Sequence, residues 1–332
     1  MLKKISLVCI LLCTMLFSWA WLDYADFIEA PLVTETSISL DIEKGSSFNK
    51  ILSKLKQQDI IFNKLWFKLL AYDAGLTQQL KAGEYDLPVG LTPNDFLLLL
   101  SKGKVKQYSI TFPEGISFKE MRDVLQQHDA IQQSIAQLSD KEVLQKIDSE
   151  AQHPEGLFFP DTYQFIKHTA DIAILARAYK KMQSVLKEQW QNKADEIHLK
   201  SAYEALILAS IVEKETAVAS ERPIIAGVFT RRLKIGMRLQ TDPTVIYGMG
   251  ENYHGNIRRK DLQTLTAYNT YKINGLPPTP IAMPGKEAIH AALHPAEGNS
   301  LYFVANGDGS HIFSATLRQH NNAVNNYQRK RR

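Results

Sequence analysis

The segment that decides the fold is Ala202–Glu215, which reads AYEALILASIVEKE. Between residues 205 and 212 only Ser210 is polar, so a helix formed here is apolar on nearly every side. A helix of that kind must be enclosed by other elements. The sequence therefore predicts a central buried helix whose last turn, Glu213-Lys214-Glu215, brings two carboxyl groups to the edge of a hydrophobic core.

The two glutamates of that last turn point in different directions. Residues two apart on a helix are separated by about 200°, so Glu213 and Glu215 cannot enter one cleft together. Glu215 lies over bulkier aliphatic residues than Glu213 does, and such surroundings raise the pKa of a carboxyl group towards the range that a general acid needs. The alternative is a solvated helix end with an ordinary ion pair to Lys214 or Arg222.

Polar and aromatic side chains are dense after this helix, and we expect them in loops, as a saccharide-binding cleft requires. Asp242 is the best candidate for a second carboxylate, but it precedes Pro243 and is equally typical of a turn. The candidate substrate-binding residues, which would contact sugar or hold the loops, are Gln240, Thr241, Asp242, Tyr247, Tyr268 and Asn269.

Further elements are predicted on both sides of the central helix. Residues 155–163, EGLFFPDTY, open the domain, and their aromatic density fits either a sugar-stacking wall or core packing of Leu157, Phe158 and Phe159. The other predicted elements are a long helix at 172–191, a rigid proline-rich loop at 275–285, a helix at Lys286–Leu293, a β-hairpin of residues 301–305 and 311–315, and a polar helix at 317–327.

Residues 35–128 alternate short strands with helices and predict a small α+β module. Strands are expected at 37–42, 80–87 and 105–113, and helices at Phe48–Gln57, 64–74, 92–102 and 117–127. This order suits a carbohydrate-binding module of the LysM type and, equally, a generic packing domain. Residues 129–153 then form a polar connector to a mixed α/β domain over 154–332, so the predicted fold class is α+β.

Residues 1–22 form an apolar leader that predicts a single membrane span. Lys3 and Lys4 precede an apolar run over 5–22, which as a helix is about 27 Å long, and Asp23 follows it. Positive charge before the run keeps the N-terminus cytoplasmic, which predicts a single-pass anchor with the bulk of the chain exported. The alternative is a cleaved signal peptide, because Ser18-Trp19-Ala20 loosely resembles a cleavage site.

The charge balance argues against a nucleic-acid partner. The 332 residues include 39 Lys+Arg and 35 Asp+Glu, and the basic tail at 329–332 accounts for the whole net charge of +4. A nucleic-acid groove places surplus Lys and Arg inside the fold. Both cysteines, Cys9 and Cys13, lie in the leader, so the remainder has no disulfide, thiol nucleophile or cysteine-ligated zinc.

Motifs for other kinds of chemistry are missing from the sequence. His290 and His294 are four residues apart, but no H-E-x-x-H and no suitably spaced carboxylate accompanies them, so no metal site is expected. The sequence has no G-x-S-x-G, P-loop or G-x-G-x-x-G motif, which leaves triad hydrolases, nucleotide hydrolases and dinucleotide enzymes without support. No cofactor is expected.

Six segments form one combined pattern along the chain: ASIVEKETA at 209–217, RLQTDPTVIYG at 238–248, AYNTY at 267–271, GLPP at 275–278, the segment at 155–163 and the hairpin strand at 301–305. Together they resemble the YceG-like (MltG) family of endolytic murein transglycosylases, and the resemblance covers almost the whole chain. It implies that the essential acid is the second glutamate of the E-K-E triplet, here Glu215.

The resemblance implies a lyase that cuts the β-1,4 bond from N-acetylmuramic acid to N-acetylglucosamine within peptidoglycan glycan strands. The products would end in 1,6-anhydro-muramic acid, because the C6 hydroxyl of the sugar is itself the nucleophile, and Glu215 alone would act as acid and then base. The resemblance also implies action on nascent strands beside peptidoglycan synthases. Two rival functions stay open: a muramidase that uses water with Asp242 as base or stabiliser, and a non-catalytic glycan-binding scaffold.

Overall fold

The structure, a computed structural model, describes residues 2–76 and 80–329 and divides into two compact units. The first unit comprises the chain up to Tyr108 together with Gln164–Thr169, and the second comprises Ser109–Tyr163 and the chain from Ala170 onward. Both units contain helices and short strands, so the predicted mixture of the two is confirmed. Met1 and residues 330–332 of the basic tail lie outside the described residues.

The first unit begins with a long helix and continues as a small α+β fold. Strands β1 and β2 pair antiparallel with Leu40 opposite Tyr85, and both residues share one core with Leu52, Phe67 and Phe96 from the helices. In chain order the elements are α1 (Leu2–Glu29), β1 (Ile38–Ile42), α2 (Phe48–Gln57), α3 (Lys64–Asp73), β2 (Gly83–Leu87) and α4 (Pro93–Lys102).

Helix α1 is long and apolar enough to cross a membrane. The candidate span is Lys4–Glu29, and its most apolar 18-residue window has a mean hydropathy of 2.2. By length and composition it fits both a membrane anchor and a signal sequence. The helix continues without interruption through Ser18-Trp19-Ala20, the site at which cleavage is conceivable from the sequence.

The second unit is mostly helical. In the described residues β3 pairs with β5, β4 with β6, and β7 with β8, and the unit boundary falls within β3, β5 and β6. The elements are β3 (Gln107–Thr111), α5 (Phe118–Gln126), β4 (Ile131–Gln132), α6 (Asp140–Lys146), β5 (Thr162–Ile166), β6 (Thr169–Ala170), α7 (Asp171–Gln191), α8 (Ala202–Glu215), α9 (Arg222–Lys234), α10 (Asp242–Met249), α11 (Arg259–Gln263), α12 (Lys286–Leu293), β7 (Tyr302–Ala305), β8 (His311–Ser314) and α13 (Leu317–Val324).

Helix α8 is buried as its sequence predicts. Every residue from 205 to 212 is buried, and the helix packs against α7, α9, α10 and α12. Its one polar interior residue, Ser210, donates to the carbonyl of Ile207 and accepts a hydrogen bond from the backbone N–H of Ile281. The hydroxyl therefore ties the proline-rich loop to the central helix.

One prediction about this unit is wrong. The sequence predicts loops for the polar residues between 242 and 247, but residues 242–247 form most of α10. Pro243 lies in the first turn of that helix, where its fixed φ suits a helix and its missing N–H removes no hydrogen bond. The polar groups near Glu215 are therefore presented by the start of a helix.

The aromatic segment at 155–163 belongs to the core. Leu157, Phe158 and Phe159 are buried, so they pack the interior and form no sugar-stacking wall. The turn before them requires glycine, since Gly156 has φ +79° and a Cβ there would lie 2.4 Å from Cβ of Pro280. This close approach fixes the segment against the proline-rich loop.

Candidate active site

The last turn of α8 separates the two glutamates as the helix geometry predicts. The side chain of Glu213 is only 6% exposed; it accepts hydrogen bonds from Arg222 Nη2 at 3.3 Å and from the backbone N–H of Gly285 at 2.9 Å. Glu215 is half-buried and lines an open cleft. Glu213 thus binds the start of α12, while Glu215 is the carboxyl that a ligand can reach.

The cleft beside Glu215 has a volume of about 420 Å³ and is built from several elements of the second unit. The end of α8, the start of α10, the interior of α9 and the β7–β8 hairpin all contribute to it, together with α13. Its lining residues are Glu215, Arg232, Gln240, Thr241, Asp242, Tyr271, Tyr302, Phe303, Val304, Ala305, His311, Leu317, His320, Val324 and Gln328.

Burial raises the pKa of the Glu215 carboxyl to about 7. The negative charge of Asp242 works in the same direction, whereas a hydrogen bond from Thr241 and the positive charges of His311 and Arg232 lower the pKa. Near neutral pH the carboxyl group is therefore divided between its acid and its carboxylate form. A group in that state is suited to give a proton and to take one back.

Thr241 is held so that its hydroxyl donates to Oε1 of Glu215. Its own backbone N–H donates to Oγ1 of Thr270 at 3.0 Å, and its carbonyl accepts from Thr244 Oγ1 at 2.8 Å. The preceding residue, Gln240, has a left-handed φ of +49°, an uncommon conformation outside glycine, and its N–H donates to the carbonyl of Thr270. This buried network fixes the hydroxyl of Thr241 on the acid.

Two further pairs of side chains complete the polar wall of the cleft. Tyr271 donates from its hydroxyl to Oδ1 of Asp242 at 2.7 Å. On the hairpin, Nδ1 of His311 lies 2.7 Å from Oε2 of the buried Glu221, which also accepts a hydrogen bond from Thr216 at 3.0 Å. Although burial opposes it, the hydrogen bonds from His311 lower the pKa of Glu221, so this carboxylate is ionised and orients the imidazole ring.

The structure brings only some of the predicted residues to Glu215. Gln240, Thr241 and Asp242 line the same cleft. Tyr247 and Tyr268 line a different depression of about 840 Å³, with ring centroids 4.8 Å apart. Asn269 is buried, and its side-chain amide donates to the carbonyls at 261, 262 and 264, so it holds its loop.

The second depression contains a carboxyl group that sequence reasoning did not single out. Glu155 is buried, and burial raises its pKa to about 7. Its two oxygens accept hydrogen bonds from the backbone N–H of Phe118 and from the hydroxyl of Tyr247, each at 3.1 Å. Tyr268 in turn is hydrogen-bonded to Thr279 of the proline-rich loop at 2.9 Å. These contacts hold the far end of α10.

Sequence reasoning also missed Arg232, Tyr302 and His311. Arg232 comes from the next helix, α9, whereas Tyr302 and His311 come from the hairpin, and no local motif marks any of the three. The predicted hairpin itself is confirmed, with Ala305 opposite His311, and that pairing is the signal that places His311 at a strand end.

His290 in α12 and His294 just after it both contact neighbouring groups. The rings of His290 and His294 stack at 4.1 Å, and they are hydrogen-bonded to Gln189 and to the carbonyl of Asn192. Within residues 2–76 and 80–329, no group of three or more His, Cys, Asp or Glu side chains is arranged to hold a metal ion.

Comparison with known proteins gives the family. The model of the YceG-like family matches residues 40–326, which is most of the chain. The chain belongs to the YceG-like family. The resemblance predicted from the sequence is thereby confirmed.

The relatives give the enzyme class. The chain is 32% identical over 311 residues to the endolytic murein transglycosylase of Bacillus subtilis (strain 168), across 89% of this chain and 86% of the relative. It is 27% identical to the protein of the same name from Streptococcus pneumoniae (strain D39), across 84% of this chain and 56% of that longer relative. Their name confirms the predicted enzyme class, a lytic transglycosylase.

A solved structure agrees with this fold. The crystal structure of a YceG-like protein from Listeria monocytogenes matches this chain with a TM-score of 0.54 and 30% sequence identity. The match covers 86% of this chain and 98% of that protein.

Proposed function

We propose that this chain cuts glycan strands of peptidoglycan internally as a lytic transglycosylase, with Glu215 as its only proton carrier. The observation that supports this most strongly is the half-buried carboxyl of Glu215, with its pKa raised by burial to about 7, in the wall of an open polar cleft. The YceG-like family and the name of its relatives support the substrate class.

In the proposed reaction the β-1,4 bond from N-acetylmuramic acid to N-acetylglucosamine breaks. The proton of Glu215 passes to the departing glycosidic oxygen as the bond from C1 to that oxygen breaks. The C6 hydroxyl oxygen of the muramic acid then bonds to C1, and its proton passes to the carboxylate of Glu215. The enzyme regains its starting state, and the product carries a 1,6-anhydro end.

The surroundings of Glu215 fit both halves of that cycle. Because the hydroxyl of Thr241 donates to Oε1, the acidic proton is directed to Oε2 and the carboxyl cannot rotate freely. The positive charges of His311 and Arg232 stabilise the carboxylate formed after the first transfer, and Asp242 opposes them. The balance keeps both protonation states accessible at one pH. The nucleophile belongs to the substrate, so the ring closure is intramolecular and gains from proximity.

A water-using muramidase is the second candidate, because Asp242 lines the same cleft as Glu215. A hydrolase needs a second carboxylate that acts as base or nucleophile. Oδ1 of Asp242 already accepts a hydrogen bond from Tyr271, which favours a role in holding the cleft. We therefore rank the lyase first.

We propose further that α1 is an uncleaved single-pass anchor in the inner membrane, with both units on the periplasmic side. The bulky side chains of Trp19 and Trp21 beside residues 18–20 support this, because a cleavage site is built from small residues. An anchored enzyme reaches only the membrane-proximal glycan layer, where peptidoglycan synthases supply nascent strands. Residues 35–128 are proposed as a LysM-like glycan-binding module, 129–153 as its connector and 154–332 as the catalytic domain.

The reaction is tested by digesting purified glycan strands with the full chain in water enriched in oxygen-18. A lyase releases 1,6-anhydro ends without the label. A muramidase releases reducing ends that carry one labelled oxygen, and this result would overturn the proposal. A chain that binds strands but releases no fragments would support the scaffold function and would also overturn it.

A further inference from the structure

Helix α1 is joined to the first unit by side-chain packing. Nε1 of Trp66 on α3 donates to Oδ2 of Asp23 at 2.7 Å, and the ring of Tyr24 lies 5.3 Å from that of Trp66. One turn further, Phe27 contacts the buried Phe67 at 5.6 Å. Helix α4 also packs on α1. The last turns of α1 are therefore packed as part of the first unit.

This packing places α3 next to the end of the apolar run. The run ends at residue 22, so the contact of Asp23 with Trp66 lies about 2 Å further along the helix axis, at a rise of about 1.5 Å per residue. The headgroup zone of a bilayer extends about 5 to 7 Å beyond its hydrocarbon core on each side. With α1 across the membrane, the end of α3 that carries Trp66 lies within that zone.

The outer face of α3 is apolar. Leu65, Leu69 and Tyr72 are 67%, 46% and 78% exposed, and their spacing of four and three residues puts them on one side of the helix, here called the α3 apolar face. They line a shallow groove of about 470 Å³ together with Phe48 and Lys68. Beyond α1, no other stretch of the described chain exposes large apolar side chains as densely as 61–72.

The residues beside this face fit a lipid surface. Leu65 adjoins Trp66, the residue bonded to the end of the apolar run. Lys64 and Lys68 are exposed on the same helix, and lysines at that position can extend to anionic headgroups while their stems cover apolar surface. Tyrosine, as at Tyr72, is favoured at the boundary between lipid and water.

We propose that the α3 apolar face lies in the headgroup layer of an anionic phospholipid bilayer. The first unit is then held on the membrane by two elements, the anchor α1 and the face of α3, which fixes its orientation on the surface. The inference rests on the proposed membrane anchor and is independent of the glycan chemistry.

The test uses the full chain in phospholipid vesicles, with Cys9→Ser and Cys13→Ser so that one introduced cysteine carries a nitroxide label. Labels replace Leu65, Leu69 or, as a control in the second unit, Leu265, which is 75% exposed. Collision with oxygen and with a water-soluble nickel chelate is measured by power saturation. At Leu65→Cys and Leu69→Cys we expect several-fold more oxygen and less nickel than at Leu265→Cys, with a larger effect in anionic than in zwitterionic vesicles.

Equal accessibility at the three positions in vesicle-bound protein would overturn the inference. So would immobilisation of the Leu69→Cys label by soluble glycan strands in place of vesicles, because the face would then be a saccharide site. A chain that fails to float with vesicles would overturn the anchor and this inference together. The oxygen-18 digestion is a separate assay, so none of these results bears on the proposed reaction.

Discussion

At the scale of single residues, two glutamates in one helical turn have different environments. The sequence could predict that Glu213 and Glu215 face apart, because helix geometry is local. It could not predict which partners they meet. Gly285, Thr241 and His311 reach the end of α8 from distant parts of the chain, and only the folded structure brings them there.

Thr241→Val removes the hydroxyl that donates to Glu215. The carboxylate loses a stabilising hydrogen bond, so the pKa of Glu215 rises. Activity needs the protonated acid, and the alkaline limb of kcat/KM against pH should move upward by about one pH unit. Thr241→Ser, which keeps the hydroxyl, is the control and should leave the limb in place. An unchanged limb in the valine variant would contradict the assigned contact.

Asp242→Asn should move the same limb in the opposite direction. Removal of the negative charge beside Glu215 lowers the pKa of the acid, so activity is lost at a lower pH. Since asparagine can still accept from Tyr271, we expect the rate at low pH to stay within about tenfold of the parent, and 1,6-anhydro products to persist. Complete loss of cleavage would instead point to Asp242 as a catalytic base.

At the scale of elements, α8 could be predicted within its exact bounds but α10 could not. The composition of an apolar segment such as 205–212 is enough to predict a buried helix. The start of α10 is polar and contains a proline, a composition that predicts a loop, although proline in a first turn is also a helix signal. Helix α10 matters for the site because its first turn carries Asp242, and its last turns contact Glu155.

Glu155→Gln tests the buried carboxyl that holds the far end of α10. Its pKa is raised to about 7, so the folded state keeps a proton that the unfolded chain releases near its ordinary pKa. The free energy of unfolding therefore falls as pH rises from about 4.5 to 7, by about 3 kcal/mol at most for this group. The glutamine variant should lose that part of the pH dependence.

The measurement is chemical unfolding between pH 5 and pH 8. Glu297→Gln, at an exposed position, serves as the control and should behave as the parent does. The raised pKa of Glu215 also makes the free energy of unfolding fall as pH rises. The Glu155 variant should therefore show a smaller fall than the parent, but not a complete loss of the pH dependence. If the free energy of unfolding of the Glu155 variant changed with pH as steeply as that of the parent, the raised pKa of Glu155 would be contradicted.

At the scale of the whole molecule, local patterns predicted most helices, the hairpin and the apolar leader. They could not show that α1 continues seven residues past the apolar run and packs on α3. That contact joins Asp23 to Trp66, which is 43 residues away in the chain, so it depends on the tertiary fold. The mixture of helices and strands was predictable, whereas the division of the chain into its two units depends on which distant segments pair.

A chain that begins at Asp23 tests this arrangement. It keeps the contacts of Asp23, Tyr24 and Phe27 with α3, so it should fold and cleave soluble strands at the parental rate. It should no longer float with vesicles, because the span is gone and the α3 apolar face alone binds weakly. The midpoint of thermal unfolding and vesicle flotation measure the two effects. A lower midpoint would show that residues before Asp23 stabilise the module.

The central claim is that a single carboxyl, that of Glu215, performs both proton transfers. The most direct measurement is the rate of 1,6-anhydro end formation by Glu215→Gln and by Glu213→Gln, with the thermal unfolding of both variants measured in parallel. We predict a loss of about 100- to 10,000-fold for Glu215→Gln without loss of stability, and a change within about tenfold for Glu213→Gln. Parental rates in a folded Glu215→Gln enzyme would contradict the account.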